Sequence, residues 1–315
     1  MLILYRGCMD SYEVIIIGLG PAGCTAGIYA TRFGLKTLVI GKEPGGQANE
    51  AYEVDNYPGM LRVKGMEIMN KFREQTKALG AEVIYNDVVD VKKKNDGFIV
   101  KTESGEYEAK SVIIATGAKK RRLDVPGENE LRGRGISYCA TCDAPFYKNK
   151  NVVVVGGGSS AVMSALMLTE HAKKIYLAYR KCRNDMRAMP AWVASAETNP
   201  KIEMVFNAVP KKIEGSNLVE AMVFEKEGKA LRLKVEGVFV EVGSIPQTEL
   251  AQKLGVALEK NGKIKVGSGM ATNVKGVFAA GDVTSGSADF EQIIIAASEG
   301  ANAARSAYKY VRKRD

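Results

Sequence analysis

At 315 residues the chain is longer than one typical domain and can form two with separate cores, and its 46% hydrophobic and 26% charged residues are usual for a soluble globular protein. No apolar run approaches the roughly 18 residues that span a bilayer, and the N-terminus lacks a signal peptide, so we expect a cytoplasmic protein that does not enter membranes. The net charge is +9, but the basic runs are short and have no interleaved aromatic residues, which favours solvated surface faces and argues against nucleic-acid binding. Docking of an acidic protein partner is the alternative use of this charge.

The N-terminal segment has the pattern of a βαβ unit that binds a dinucleotide. Residues 14–17 form an apolar run typical of a buried parallel strand, and they lead directly into GLGPAG at 18–23 and a helical pattern. In this context the glycines allow a tight turn, and the helix N-terminus binds a pyrophosphate. Ile40 stands where an acid often binds the ribose, so Glu43 in the next loop is the nearest candidate, with an exposed loop carboxylate as the alternative.

The loops and strands that follow offer further contacts to a flat ligand. The PGGQ turn at 44–47 lets the backbone lie against a bulky planar group. Residues 65–79 predict an amphipathic helix, and residues 88–94 and 98–102 predict an antiparallel hairpin. A buried strand at 111–117 ends in small residues, which predicts a second contact to the dinucleotide, with a plain strand-to-loop turn as the alternative.

A CxxC pair follows a polar linker that we place at 119–134. Cys139 and Cys142 are three apart, so their sulfurs can close a disulfide, or one thiolate can attack while the other resolves the mixed disulfide. Asp143 follows directly, close enough to exchange a proton with a leaving thiolate. Half of a zinc site is the alternative, but zinc needs about four ligands and the chain has one histidine, His171, and no second CxxC. We therefore favour a redox dithiol and no metal, with an inert cysteine pair as the remaining alternative.

A second βαβ pattern begins after the CxxC pair. A valine-rich strand at 151–155 runs into GGGSSA at 156–161, which predicts a second dinucleotide site or the relic of one. The next strand, at 175–178, is followed by Tyr179-Arg180-Lys181, with Arg183 and Arg187 beyond. Basic residues at this position favour the 2′-phosphate of NADP over the free ribose of NAD, and surface charge without a ligand is the alternative.

The last third of the chain returns to the first domain after the GSIP turn at 243–246. Its last predicted strand runs into Gly281-Asp282, whose carboxylate suits a ribityl hydroxyl or a phosphate contact. The predicted elements of this part are strands at 222–225, 231–235, 237–242, 263–266 and 277–280 and a helix at 292–304.

Together these motifs resemble the low-molecular-weight thioredoxin reductases over nearly the whole chain. The order and spacing of the motifs make the likeness specific. The motifs are GLGPAG at 18–23, GGQ at 45–47, NYPG at 56–59, ATGA at 115–118, CATCD at 139–143, GGG at 156–158 and AAGDV at 279–283.

The resemblance implies an α/β fold of two three-layer, Rossmann-like dinucleotide-binding domains with parallel central sheets and antiparallel strand additions. An FAD-binding domain at 1–118 and 245–315 would be interrupted by an NAD(P)-binding-like domain at 119–244, which carries the CxxC pair. The implied protein is a homodimer that uses FAD to reduce the disulfide of thioredoxin or a similar small redox protein. Cys139 and Cys142 would be its redox pair and Asp143 its acid.

The resemblance also assigns candidate cofactor contacts, residue by residue. The expected FAD contacts are Gly18, Gly20, Pro21, Ala22, Gly23, Glu43, Gly45, Gly46, Gln47, Asn56, Val88, Ala115, Thr116, Gly117, Gly281, Asp282, Gln292 and Ile293. The candidate NADP contacts are Gly156, Gly158, Arg180, Lys181 and Arg187.

The nicotinamide site departs from the family pattern. Met163 and Ser164 stand where the family has carboxylates, and Tyr179-Arg180-Lys181 replaces His-Arg-Arg. NADPH is therefore one candidate electron donor, with NADH, a reduced ferredoxin and free reduced flavin as alternatives. Two other functions also stay open at this point: a dithiol oxidase that passes electrons to oxygen, and a non-catalytic flavin redox sensor.

Overall fold

The computed structural model describes residues 10–51, 54–286 and 290–313, without the side chains of residues 50, 141 and 142. The chain divides into two compact units. Unit 1 comprises Met1–Lys119 and Ile245–Asp315, and unit 2 comprises Lys120–Ser244. Unit 2 is therefore an insertion in the sequence of unit 1.

The strands of the described residues are, in chain order, β1 (Ser11–Ile17), β2 (Thr37–Ile40), β3 (Glu82–Ile84), β4 (Val88–Lys94), β5 (Gly97–Thr102), β6 (Glu106–Ile114), β7 (Ala118–Lys120), β8 (Ile136–Ser137), β9 (Asn151–Val155), β10 (Lys174–Ala178), β11 (Ile202–Val205), β12 (Ala208–Glu214), β13 (Ala221–Lys226), β14 (Lys229–Lys234), β15 (Gly237–Val240), β16 (Ser244–Pro246) and β17 (Val277–Ala279). The α-helices are α1 (Pro21–Arg32), α2 (Gly65–Ala78), α3 (Ala140–Asp143), α4 (Ser159–Leu168), α5 (Pro190–Thr198), α6 (Glu249–Lys253) and α7 (Ile293–Val311).

The sheet of unit 1 has the strand order β3-β2-β1-β6-β5-β4, with β17 paired to β6. Residues 14–17 of its strand β1 are apolar without alternation because both faces of the sheet are covered there. Val14 and Ile16 belong to a core cluster with residues of α1, α2 and α7, whereas Ile15 and Ile17 belong to a second cluster with residues of β4, β5 and α6. Ile114 of β6 pairs in parallel with Ile17, so these strands end at one edge of the sheet.

The main sheet of unit 2 has the order β11-β10-β9-β15-β8, and a separate antiparallel sheet has the order β12-β13-β14. The valines of β9 alternate between two core clusters in the same way as the residues of β1. Val155 pairs in parallel with Ala178 of β10 and with Val240 of β15. Residues 156, 179 and 241 therefore follow three adjacent strand ends, which is where ligands bind in open α/β sheets.

The predicted fold class is confirmed: each unit has a largely parallel central sheet with helices against it and antiparallel strands added. The helix predicted at 65–79 is α2, and the predicted hairpin is β4 and β5, which pair antiparallel. The strand predicted at 263–266 is wrong, because Ile264 forms only isolated bridges to Leu258 and Thr284. Among the described helices, none combines the length and apolar character needed to cross a bilayer.

Candidate functional site

The first glycine turn, residues 18–23, joins β1 to α1 through direct backbone contact. Gly18 has φ +124°, and a Cβ atom on it would lie 2.1 Å from the carbonyl oxygen of Ala115. A Cβ atom on Gly23 would lie 1.9 Å from the carbonyl oxygen of Gly18. Side chains at these two positions are excluded, so the turn brings the start of α1 against the ends of β1 and β6.

The outer side of this turn is open. Gly20 is the N-cap of α1, makes no side-chain cap, and has no other atom within 4 Å of the place where its Cβ would be. Gly46, from the loop after β2, faces it, since its own Cβ position is 3.5 Å from the Gly20 Cα. The first N–H groups of α1 therefore point toward space that suits an anion. This cradle fits the pyrophosphate of a dinucleotide such as FAD.

Polar side chains around the strand ends of unit 1 form defined pairs. The Asn56 Nδ2 donates to Gln292 Oε1 over 2.8 Å, which brings together two residues that are distant in sequence. Thr116 Oγ1 donates to the carbonyl oxygen of Gln247 over 2.6 Å, and Gln247 Nε2 donates to the carbonyl oxygen of Thr116 over 2.8 Å. Gln47 Nε2 donates to the carbonyl oxygen of residue 118.

A buried carboxylate lies beneath the loop that carries Asp282. Glu299, in α7, is 5% exposed. Its Oε2 accepts hydrogen bonds from the Gly281 N–H over 2.7 Å and from the Thr284 hydroxyl over 2.8 Å. Burial raises the pKa of Glu299, against the effect of these bonds and of the Lys263 charge. Its Oε1 has no hydrogen-bond partner among the described residues.

The other candidate FAD residues lie in several different parts of unit 1. Glu43 is exposed in the loop after β2. Val88 begins β4 and packs against the second core cluster of unit 1. Asp282 follows Gly281, which has φ +83° and a Cβ position 3.0 Å from the Ala22 Cβ, so this loop lies beside α1. Ile293 is the first residue of α7.

The redox segment, residues 137–147, runs from β8 through α3 into a short 3-10 helix. Cys139 is disulfide-bonded, and the side chain of Cys142 lies outside the described residues. The Cys139 N–H donates to Ser137 Oγ over 3.1 Å, and the Asp143 N–H donates to the Cys139 carbonyl over 3.1 Å. These two bonds restrain the backbone N–H and the backbone carbonyl of Cys139.

Asp143 lies in a partly buried position at the end of α3. Burial raises the pKa of its carboxyl group, and a hydrogen bond with Ser137 acts in the opposite direction. Nearby, burial raises the pKa of the Tyr147 phenol to about 12, with a smaller contribution from the Asp143 charge. The Tyr147 ring packs edge-on against Phe239, with 4.8 Å between ring centroids. Asp143 is therefore a carboxyl group that burial biases toward the protonated form, as a proton donor requires.

The second glycine turn, residues 156–161, repeats the geometry of the first in unit 2. A Cβ atom on Gly156 would lie 2.2 Å from the carbonyl oxygen of Glu241, whereas nothing lies within 4 Å of the Cβ position of Gly158. Gly158 is the N-cap of α4 and makes no side-chain cap. The ring of Tyr179 packs on Gly157, and the Arg187 N–H donates to the Gly157 carbonyl over 2.9 Å.

Three candidate NADP residues are exposed and cationic. Arg180, Lys181 and Arg187 make no ion pair with any described residue. Arg183, between them in sequence, is instead held by Glu197 through two hydrogen bonds of 2.5 and 2.8 Å. The structure thus places Arg187 beside the second glycine turn and leaves its charge available to an anionic ligand.

Comparison with known proteins decides the family. The family model described as pyridine nucleotide-disulphide oxidoreductase matches residues 12–300. The chain belongs to this family. A thioredoxin reductase of Bacillus subtilis is 41% identical over 308 residues, which cover 95% of each chain. The crystal structure of a Streptococcus pyogenes thioredoxin reductase matches with TM-score 0.83 and 38% identity, over 97% of this chain and 100% of that one. A ferredoxin-flavin thioredoxin reductase of Clostridium acetobutylicum matches with TM-score 0.53 and 32% identity, over 97% and 99%.

Three polar residues that lie in the candidate FAD site and the redox segment of this oxidoreductase were not predicted from the sequence. Gln247 pairs with Thr116, Ser137 contacts the backbone of Cys139, and Glu299 holds the loop at Gly281. Glu299 had a usable signal, because it is an acid on the otherwise small and apolar buried face of α7. The other two had none, since glutamine and serine near a turn are common and their partners are backbone groups.

Proposed function

We propose that this oxidoreductase is a thioredoxin reductase, which uses FAD to reduce the disulfide of thioredoxin through a Cys139–Cys142 pair. The observation that carries the proposal is the combination of a disulfide-bonded Cys139 with two open glycine turns, one in each unit. The thioredoxin reductases among its relatives, matched over almost the full chain, support it. We assign FAD to unit 1 and the nicotinamide nucleotide to unit 2.

FAD fits unit 1 because the open cradle at Gly20 receives a pyrophosphate. When bound, FAD supplies a two-electron carrier between a soluble donor and the protein disulfide. The first glycine turn would hold the pyrophosphate, and Gly46 would lie against the same group. Asp282 would contact the ribityl chain, while the Asn56–Gln292 pair would contact the ring system.

The redox segment then performs thiol–disulfide exchange. Two electrons break the bond between the sulfurs of Cys139 and Cys142, and Asp143 donates a proton to the thiolate that leaves. The remaining thiolate, which we assign to Cys139, attacks one sulfur of oxidised thioredoxin and forms a mixed disulfide. Cys142 then returns its proton to the Asp143 carboxylate, and its thiolate attacks the Cys139 sulfur of the mixed disulfide, which releases reduced thioredoxin and restores the protein disulfide.

We propose NADPH as the electron donor. The observations that support it are the open N-terminus of α4 at Gly158 and the free charges of Arg180, Lys181 and Arg187. No acid directly follows β10 to bind a free ribose, so we expect NADH to be a poorer substrate than NADPH. The similarity to the ferredoxin-flavin thioredoxin reductase of Clostridium acetobutylicum supports reduced ferredoxin as a second candidate donor.

The homodimer and the cytoplasmic location are part of this proposal through the family resemblance. A reductase that keeps thiols reduced acts in a compartment where disulfides are rare, which supports the cytoplasm. Sedimentation of the purified flavoprotein tests the dimer, and a monomer at micromolar concentration would contradict it.

The proposed activity is tested by supplying NADPH and oxidised thioredoxin to the purified flavoprotein under anaerobic conditions. Wild-type protein should turn over, whereas Cys139→Ser and Cys142→Ser should each retain FAD and lose turnover. Retained turnover in either variant contradicts the scheme. NADH and reduced ferredoxin are compared in the same assay, and peroxide release in air identifies an oxidase instead.

A further inference from the structure

Glu128 is a buried carboxylate of unit 2 that the proposed scheme does not use. Its side chain is 1% exposed. It accepts hydrogen bonds from the N–H groups of Leu123 and Asp124, over 3.0 and 2.8 Å, and from the Tyr138 hydroxyl over 2.6 Å. The Arg122 Nε lies 3.9 Å away. A carboxylate is costly to bury without such partners, so this arrangement compensates its desolvation with three donors.

The Tyr138 side of this cluster leads directly to the disulfide. Tyr138 lies between β8 and Cys139. Its neighbours Ile136 and Ser137 pair in parallel with β15, and its ring packs against a core cluster of unit 2. The residue before Cys139 is therefore held through its backbone neighbours, its ring and its hydroxyl.

The other side of the cluster is a constrained turn. Asp124 has φ +54°, a conformation that costs a non-glycine residue free energy. The next residues are anchored to β12, because the Ile213 N–H donates to the Pro126 carbonyl over 2.9 Å and Gly127 leaves no room for a Cβ against Ile213. Glu128 thus connects Tyr138 to a fixed part of the unit.

We propose that Glu128 and Tyr138 form a clasp that holds Cys139 in its disulfide geometry and thereby shifts the dithiol–disulfide equilibrium toward the disulfide. Both are positioning residues, and the role rests on the proposed redox function of Cys139. A restraint on the peptide before Cys139 reduces the freedom that the dithiol form gains when the S–S bond opens. Removing the clasp restores that freedom, so the disulfide becomes easier to reduce.

Tyr138→Phe separates this role from simple stabilisation of the turn. It removes one hydroxyl, keeps the ring packing, and leaves the bonds from Leu123 and Asp124 to Glu128. Tyr12→Phe is a matched control, because the Tyr12 hydroxyl also donates to a carboxylate over 2.6 Å, that of Glu82 in unit 1. Glu128→Gln is a second variant that keeps the side-chain shape while removing the charge.

The experiment equilibrates each FAD-loaded protein anaerobically in buffers of reduced and oxidised dithiothreitol. Each reduction breaks one S–S bond of the protein, takes up two electrons and two protons, and converts one dithiothreitol to its cyclic disulfide. Alkylation with iodoacetamide and mass spectrometry then give the fraction of Cys139 present as thiol. Thioredoxin turnover of wild-type protein is measured alongside.

The equilibrium constant for reduction should rise about threefold to tenfold in Tyr138→Phe, which is the factor for one buried hydrogen bond that is made in the disulfide form and lost in the dithiol form. A tenfold rise corresponds to about 30 mV. Tyr12→Phe should match wild type. Glu128→Gln should shift in the same direction, and it serves as the test if Tyr138→Phe does not fold. If Tyr138→Phe and Glu128→Gln have the same equilibrium constant as wild type, the clasp proposal is wrong. If the equilibrium constant shifts as expected but wild-type protein does not turn over thioredoxin, only the proposed function is wrong.

Discussion

Asp143 carries the clearest prediction at the scale of a single residue. Replacing it with asparagine removes the proton donor of the redox segment, so thioredoxin turnover should fall about 100-fold. Because burial raises the pKa of Asp143, wild-type activity limited by this proton should decline as the pH rises through that raised value. The measurement is kcat against pH for wild type and for Asp143→Asn, which should have lost this decline.

Asp96→Asn is the control, since Asp96 is exposed in the β4–β5 turn. It should retain wild-type kcat and the wild-type pH profile. Wild-type kcat in Asp143→Asn would remove Asp143 from the mechanism.

Glu299 gives a second residue-scale prediction, which concerns stability. Its folded-state pKa is raised, so its contribution to stability is fully present below the pKa of the unfolded chain and is lost as the pH rises through the folded-state value. Glu299→Gln should therefore lose less stability between mildly acidic and neutral pH than wild type. Glu299→Ala should cost about 1–3 kcal/mol, because the Gly281 N–H and the Thr284 hydroxyl lose their acceptor.

Thermal unfolding at several pH values measures both Glu299 effects, with the exposed helical residue Glu74 as the site of a matched Glu→Gln control. Glu74→Gln should follow the wild-type profile. The same profile for Glu299→Gln would show that the buried carboxylate does not titrate with unfolding.

The roles of single residues were also the hardest feature to predict from the sequence. Cys139 and Asp143 are candidates from the sequence because their chemistry and spacing are distinctive. Ser137 and Glu128 were not, because their roles depend on partners brought together by β8 and by the turn before it. A sequence carries no local mark of a hydrogen bond between side chains ten residues apart.

At the scale of elements, the first glycine turn separates folding from cofactor binding. A Cβ atom on Gly18 collides with the Ala115 backbone, so Gly18→Ala should destabilise the protein by about 1–3 kcal/mol or more. The Cβ position of Gly20 is open and its backbone is extended, so Gly20→Val should fold normally. Its side chain should nevertheless fill the pyrophosphate cradle and weaken FAD binding at least about tenfold.

The melting temperature and the amount of bound FAD per polypeptide, measured on both variants, distinguish a folding defect from a defect in cofactor binding. We expect two different losses: Gly18→Ala should lose stability, and Gly20→Val should lose bound FAD. Full FAD content in a well-folded Gly20→Val protein would place the cofactor elsewhere.

Gly158 allows the equivalent test for the second glycine turn. Its Cβ position is also open at the N-terminus of α4, so Gly158→Val should fold and keep FAD. It should slow the bleaching of flavin by NADPH at least about tenfold, because the nucleotide pyrophosphate loses its cradle. Bleaching by dithionite, which needs no nucleotide site, is the internal control. Unchanged bleaching by NADPH would count against a nucleotide site at this turn.

Elements with a strong local signal were predicted well. The apolar runs of β1 and β9 lie between two covered faces, and the glycine motifs require the turns that follow them. The strand predicted at 263–266 is wrong because a short segment of alternating polar and apolar residues forms a strand only where a neighbouring strand offers a continuous ladder, and Ile264 forms only isolated bridges. Strand β12 and helix α5 were missed because their side chains mix polar and apolar residues without a clear period.

At the scale of the whole molecule, the order of motifs carries more information than any one of them. Two glycine turns, a CxxC pair between them in sequence and a return of the chain to unit 1 occur together. Fold class and family followed from this order. The donor did not, because it depends on which ligand the charges at Arg180, Lys181 and Arg187 attract.

Reductive titration of the anaerobic flavoprotein with dithionite, followed by oxidised thioredoxin, measures the relay from flavin to Cys139 without requiring a particular donor. Wild-type protein should take up about twice the reducing equivalents of Cys139→Ser, because the disulfide is a second two-electron acceptor beside FAD. Thioredoxin should then restore the flavin absorbance of wild type and leave the variant reduced. Equal uptake by the two proteins, with equal reoxidation by thioredoxin, would contradict a relay through Cys139.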